Sequence, residues 1–264
     1  MRTLTDGTGR TVQVPESPQR VISLCPSQSA TLAALGIGPR LAGITRFCVF
    51  PDDMWKQTPR VGGTKRIKLD KIHAINPDLV ICQKEENTIE IVETISAFYP
   101  VFVTDVETLE ASYAMVETLG MLTGTEAEAE LINQKVKASL QNIKPLNAID
   151  TAYLIWKDPY MAAGRATFVN EILQLCGMNN VLSGFPDRYP NVSEQQLVQA
   201  EPQLLLLSSE PYPFAQKHIA DLQALLPNTL IQLVDGMYFS WYGERMIQAG
   251  IYLSELTQKL KSQL

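Results

Sequence analysis

Short apolar runs alternate along the chain with segments whose apolar residues recur every three or four positions. The runs at 20–24, 41–45, 79–82 and 101–103 have strand length and are rich in Val and Ile, which suits buried strands. Between them, 28–35, 69–75 and 88–98 carry helical spacing, with Leu69, Ile72 and Ile75 on one face. Ser27 follows the Cys25-Pro26 break and is positioned to cap the first of these helices. Gly36 ends it, and Asn76-Pro77 stops the next. From 109 to 143 no strand-like run occurs. Residues 127–143 place Ala, Leu, Ile and Val at helical spacing among Glu, Lys and Gln, which predicts a long amphipathic helix, with a shorter one before it ending near Gly124. The alternation then returns, with strands at 152–156, 204–207 and 230–234 and helices at 167–176, 193–200 and 245–261. The start of the chain is different: Asp6-Gly7-Thr8-Gly9 reads as a tight turn between two short extended pieces.

The two alternating halves repeat each other. Leu69-Asp70-Lys71-Ile72-His73-Ala74-Ile75-Asn76-Pro77-Asp78-Leu79-Val80-Ile81 matches 194–206 in residue type and order, with Pro77 answered by Pro202. Leu35-Gly36-Ile37 matches Cys176-Gly177-Met178, and 21–24 matches 152–155. The expected fold class is therefore α/β: two Rossmann-like lobes with mostly parallel sheets, joined by a single long α-helix, with the ligand cleft between the lobes. The expected domains are an N-terminal α/β lobe at 1–108, a linking helical segment at 109–146 and a C-terminal α/β lobe at 147–264.

Composition removes several function classes. The 264 residues are 45% hydrophobic and 19% charged, an ordinary globular balance. With 28 acids against 22 bases, a formal charge of −6 and no dense Lys/Arg cluster, the chain is unsuited to nucleic acid. No apolar run approaches the roughly 20 residues that span a bilayer, so no membrane insertion is expected. The first residues lack an apolar signal core, which predicts a cytoplasmic location for a full-length chain and a periplasmic or cell-envelope one if a leader has been removed. Cys25, Cys48, Cys82 and Cys176 form no C-x-x-C pair, and Cys25 with Cys48 is the pair to test for a disulfide. His73 and His218 are the only imidazoles, so a three-His zinc site is excluded and no protein metal site is expected. Cys25 lies where a helix start favours a thiolate, but it has no evident partner: His73 precedes a strand on the far side from the loops, and His218 is expected on a helix surface. Neither a phosphate-binding P-loop nor a G-x-G-x-x-G is present. No catalytic residue, no cofactor and no enzymatic activity are expected.

Ligands of parallel α/β lobes lie beyond the carboxyl ends of the strands. In the first half this selects Cys25, Pro26, Ser27, Phe47 and Lys65. In the second it selects Trp156, Tyr160, Arg165, Arg188, Tyr189, Tyr212, Tyr238, Trp241 and Tyr242. So many aromatics on Pro- and Ser-rich loops suit a large, flat, partly apolar ligand, with core packing as the alternative for any one of them. Lys65, Arg165, Arg188 and Arg245 are candidates for anionic groups on such a ligand.

Arg20-Val21-Ile22-Ser23-Leu24-Cys25-Pro26-Ser27, Leu35-Gly36, Val61-Gly62-Gly63 and Asn76-Pro77-Asp78-Leu79-Val80-Ile81, with the central helix, resemble the helical-backbone metal receptors. These are periplasmic binding proteins of ABC importers for cobalamin, haem and iron–siderophores. The resemblance runs over about 12–260 and is nearest to the cobalamin branch, in which an aromatic precedes an Arg-bearing final helix, as Ser240-Trp241-Tyr242-Gly243-Glu244-Arg245-Met246 does here. It implies a monomeric substrate-binding protein that closes little. The implied ligand is a small metal chelate: cobalamin, or alternatively haem or a ferric siderophore. It also implies an ABC permease as partner, on whose arginines one acid from each lobe docks. Glu85 and Glu210, at equal offsets from Pro77 and Pro202, take that role, with Glu86 and Glu90 competing for the first. Tyr189 and Tyr160 are candidates for an axial bond to a bound metal chelate. A cytosolic carrier or sensor on the same fold is the alternative function.

Overall fold

The computed structural model describes residues 1–51 and 56–264. Two compact units emerge: Met1–Val106 with Glu110–Lys137 and Tyr242–Arg245, and Glu107–Leu109 with Ala138–Trp241 and Met246–Leu264.

The first unit is built on a four-stranded sheet in the order β4-β3-β5-β6, from β3 (Val21–Ser23), β4 (Leu41–Ile44), β5 (Leu79–Gln83) and β6 (Val101–Thr104). All its pairings are parallel, and β3, β5 and β6 are buried at every residue, which is why they read as unbroken apolar runs. Ile22, Leu24, Ile72, Val80 and Val103 form the core between this sheet and its helices. The turn-rich start is an antiparallel hairpin, β1 (Arg2–Thr5) with β2 (Thr11–Val14). Asp6 fixes that hairpin. Its Oδ1 accepts from the Thr8 amide and hydroxyl at 2.9 and 2.7 Å, and its Oδ2 pairs with the Arg10 guanidinium at 2.7 Å. Burial alone would raise the Asp6 carboxyl, but the bonds from Thr8 and Arg10 outweigh it and hold the group below its ordinary value.

The second unit repeats this plan. A row of parallel strands runs β9 (Met178–Asn180), β7 (Ile149–Trp156), β10 (Leu204–Ser208), β11 (Leu230–Val234). The two-residue β8 (Met161–Ala162) adds to β7 antiparallel. The register corrects the repeat by one position: Leu79 pairs Val21 in the first unit and Leu204 pairs Thr151 in the second, so Val21 is answered by Thr151 and not by the Ala152 of the sequence match. The residues before the matched prolines, Asn76 and Glu201, both take positive φ, of 50° and 44°. The helix Leu69–Ile75 is matched by Glu194–Gln199, which a capping box of Ser193 and Gln196 starts. β8, of two residues, is too short and β9, Met-Asn-Asn, too short and too polar to leave a strand pattern, and the sequence reading does not contain them.

The linking segment is not a single long helix; the break falls near Gly124, where the sequence ends the preceding helix. It comprises two 15-residue helices, Leu109–Thr123 and Glu126–Leu140, parted by Gly124 in the left-handed region at φ 68°. They pack so closely at Gly120 that a Cβ there would stand 2.6 Å from that of Ala129. The first helix also starts earlier than the cap pattern suggests. Cys25 is its N-cap, without a side-chain bond, and Pro26 occupies the first turn of Pro26–Leu32, where the missing N–H costs nothing.

Candidate functional site

In the second unit the loops after β7, β10 and β11 carry a row of aromatic side chains. Trp156, at the end of β7, is 41% exposed and meets Tyr212 edge-on, with ring centroids 5.7 Å apart. Tyr212 in turn packs on Phe214 at 4.8 Å. Tyr160 is half-buried, and burial followed by the nearby Glu194 and Asp221 raises its phenol. Tyr238 stacks on Tyr252 of the terminal helix Met246–Lys261 at 4.5 Å and 25°. Tyr252 escaped the sequence reading because the contact joins a four-residue helix, Met237–Ser240, to a second helix 14 positions on, and no local period marks it.

Glu210 joins the loop after β10 to the short helix Met237–Ser240 that follows β11. Its Oε1 accepts from Ser240 Oγ at 3.0 Å and from the indole Nε1 of Trp241 at 3.1 Å. The loop itself is pinned by Ser208, whose Oγ donates to the Glu210 carbonyl at 2.6 Å and accepts from Tyr153 at 3.2 Å. Gly236 allows the approach: a Cβ there would lie 2.2 Å from Ser208 Oγ and 2.7 Å from Glu210 Cγ. Its amide donates to Ser209 Oγ at 3.0 Å. The equivalent acid in the first unit, Glu85, sits on a loop pinned the same way. Gln83 Oε1 accepts the Glu85 and Glu86 amides, both at 2.7 Å, and the Glu85 carbonyl accepts from Lys65 at 2.6 Å.

The first-unit candidates divide into two kinds. Phe47 is 45% exposed, with the Arg46 guanidinium 4.7 Å from its ring centre, and Lys65 is also exposed. Cys25, Ser27 and Tyr242 are instead buried together, while Pro26 is half-buried beside them. Cys25 Sγ lies 3.3 Å from Ser27 Oγ and 3.5 Å from the Tyr242 hydroxyl. Tyr242 therefore serves as a core residue of this unit. Burial, with a smaller push from Glu86, raises the Cys25 thiol to about 12, so the activated thiolate weighed from its helix-start position is not formed. No disulfide joins Cys25 to Cys48; both are free, and Cys48 instead donates to Ser29 Oγ at 3.2 Å.

The cations and histidines are also reassigned by their neighbours. Arg188 pairs with Glu107 at 3.1 Å, and the half-buried Tyr189 follows it. Arg245 lies 4.0 Å from the ring centre of Phe50, while Arg165 is exposed. His218 is not on a helix surface: it is buried, its Nδ1 accepts the Ala215 amide at 2.9 Å, and its ring meets Phe214 edge-on at 5.5 Å. The helical period could not reveal this, because His218 packs against the loop before its helix. His73 is exposed and bonds the Tyr99 hydroxyl at 2.8 Å. Among the described residues no group of His, Cys, Asp or Glu is arranged to hold a metal ion. No helix among them is long and apolar enough to cross a membrane. The arrangement offers aromatic faces and hydrogen-bonding edges.

A family model described as "Periplasmic binding protein" matches residues 21–228. A vitamin B12-binding protein of Pectobacterium carotovorum subsp. carotovorum (strain PC1) is 27% identical over 251 residues, covering 91% of this chain and 89% of the relative. The periplasmic vitamin B12 binding protein BtuF of Vibrio cholerae superposes with a TM-score of 0.79 at 20% identity, over 94% of this chain and 99% of that one. A periplasmic heme binding protein from Pseudomonas aeruginosa reaches 0.76 at 21% identity, over 91% and 92%. The shared fold thus carries more than one kind of ligand.

Proposed function

Since the chain belongs to the periplasmic binding protein family, whose members bind solutes and do not transform them, we propose that it is the substrate-binding protein of an ABC importer and that its ligand is a corrinoid. The observation that carries the corrinoid reading is the match to vitamin B12-binding proteins along nearly the whole length of both chains. The aromatic loops of the second unit support it. Trp156, Tyr160, Tyr212, Tyr238 and Trp241 supply flat apolar faces with polar edges, the chemistry that a corrin ring and its amide side chains require. Phe47 and Lys65 are the exposed candidates of the first unit, and Arg165 is that of the second. The protein works in the periplasm or cell envelope and hands its ligand to a permease, with Glu85 and Glu210 as the docking acids. It acts as a monomer and needs no cofactor of its own.

Titration of the purified protein with cyanocobalamin, haem and a ferric catecholate siderophore, followed by Trp fluorescence, tests the ligand class. Saturable quenching by cyanocobalamin at micromolar concentration or below, with weaker response to the other two, is the expected result. Tighter binding of haem or the siderophore would move the protein to another branch of the family. Silence with all three would remove the metal-chelate reading.

A further inference from the structure

We propose that Glu210 is a positioning residue for the ligand wall: its carboxylate fixes the indole of Trp241, and through it the loop after β11. This inference deepens the ligand-binding reading and rests on it for its effect on affinity. The geometry has three parts. One carboxylate oxygen receives both the Trp241 indole N–H at 3.1 Å and the Ser240 hydroxyl at 3.0 Å. Ser240 also donates to the Gly236 carbonyl at 2.9 Å, so the acid closes a ring of bonds around the short helix Met237–Ser240. The acid itself cannot swing freely. Its amide and carbonyl are both held by Ser208, whose hydroxyl is tied to the fully buried Tyr153. Tyr153 packs on Phe239 of the same short helix at 5.1 Å, which fixes both ends of the bridge to one core.

A half-buried indole just past the end of the short helix would otherwise sample several rotamers, and each binding event would have to order it. A charge-assisted bond to a carboxylate that is itself anchored removes that cost before the ligand arrives. Glu210 then stands under two demands: the carboxylate that orders Trp241 is the one proposed above to dock a permease.

The test compares wild type with Glu210→Gln and Glu210→Ala. Two readouts are needed: the Trp241 indole ¹H–¹⁵N resonance and its heteronuclear NOE in the ligand-free protein, and the Kd for cyanocobalamin. Glutamine keeps a carbonyl oxygen for the indole, so Glu210→Gln should hold the resonance near its wild-type position, retain a high NOE and bind within about three-fold of wild type. Alanine removes the acceptor, so Glu210→Ala should shift the resonance, lower the NOE and weaken binding by about ten-fold. Trp241→Phe, which lacks the N–H, should make the further change Glu210→Ala nearly silent in affinity. An unmoved resonance in Glu210→Ala overturns the proposal, as does a moved resonance with unchanged affinity. If Glu210→Ala does not fold, the Gln variant and the Trp241→Phe background decide. If wild type binds no probe, the corrinoid reading fails on its own account, and the resonance and NOE alone decide whether Glu210 orders Trp241.

Discussion

Single residues in this protein are governed by what surrounds them more than by their type. Asp6 is the clearest case, since six bonds to Thr8, Arg10 and the Val103 amide converge on one carboxylate. Asp6→Asn should lose about 1–3 kcal/mol of stability at pH 7, read from urea unfolding. Because the native carboxyl lies below its unfolded value near 3.9, the contribution is complete above that pH and is lost as the pH falls through the native value. The stability gap between wild type and variant should therefore close on acidification below about pH 4. The thiols give a second prediction. Cys25, Cys82 and Cys176 are buried and each raised to about 12, and Cys48 is raised by burial as well. A disulfide exchange reagent at pH 8 should find almost no reactive thiol in the native protein and four in denaturant. A single fast-reacting thiol would contradict the packing around Cys25. That Cys25 lies at a strand end before a helix was legible in the sequence. Its inertness was not, because Tyr242 approaches it from 217 positions away.

Elements were more legible than residues. Strands buried on both faces announce themselves as apolar runs, and β3, β5 and β10 lie where those runs are. Helix ends marked by Thr88, Thr167 and Ser193 match side-chain caps in the structure. Elements whose pairing supplies the order left no such trace, which is why β8, β9 and the short helix Met237–Ser240 were missed. Glycines separate conformation from contact. Gly124 and Gly177 both have positive φ, but a Cβ on Gly124 meets nothing, whereas one on Gly177 would stand 2.1 Å from the Leu146 carbonyl oxygen. Gly124→Ala should cost about 1 kcal/mol and leave the fold intact. Gly177→Ala adds a clash with rigid backbone and should cost at least about 3 kcal/mol, read by the same denaturant titration. Equal losses at the two positions would show that the linking helices need more than a turn at Gly124.

At the scale of the whole molecule, the chain is one plan used twice. The registers at Val21–Leu79 and Thr151–Leu204 carry the repeat into the backbone, one residue displaced from the sequence match of 21–24 with 152–155. A protein that binds its ligand only when folded should be stabilised by it. At a free cyanocobalamin concentration 100 times Kd the gain is about 2.7 kcal/mol. That corresponds to a rise in Tm of about 5 °C or more, measurable by calorimetry. No shift despite fluorescence quenching would mean that the quenching reports a superficial contact. The sequence by itself determined the α/β class, the duplication and the places of the long apolar strands along each half. Those follow from apolar period, turn residues and chain direction, which are local or nearly so. Tertiary structure alone decided which aromatics face solvent, that Tyr242 and His218 are packing residues, and that Glu210 holds Trp241. Each of those outcomes depends on side chains from separate segments meeting in space, and a one-dimensional pattern carries no record of such meetings.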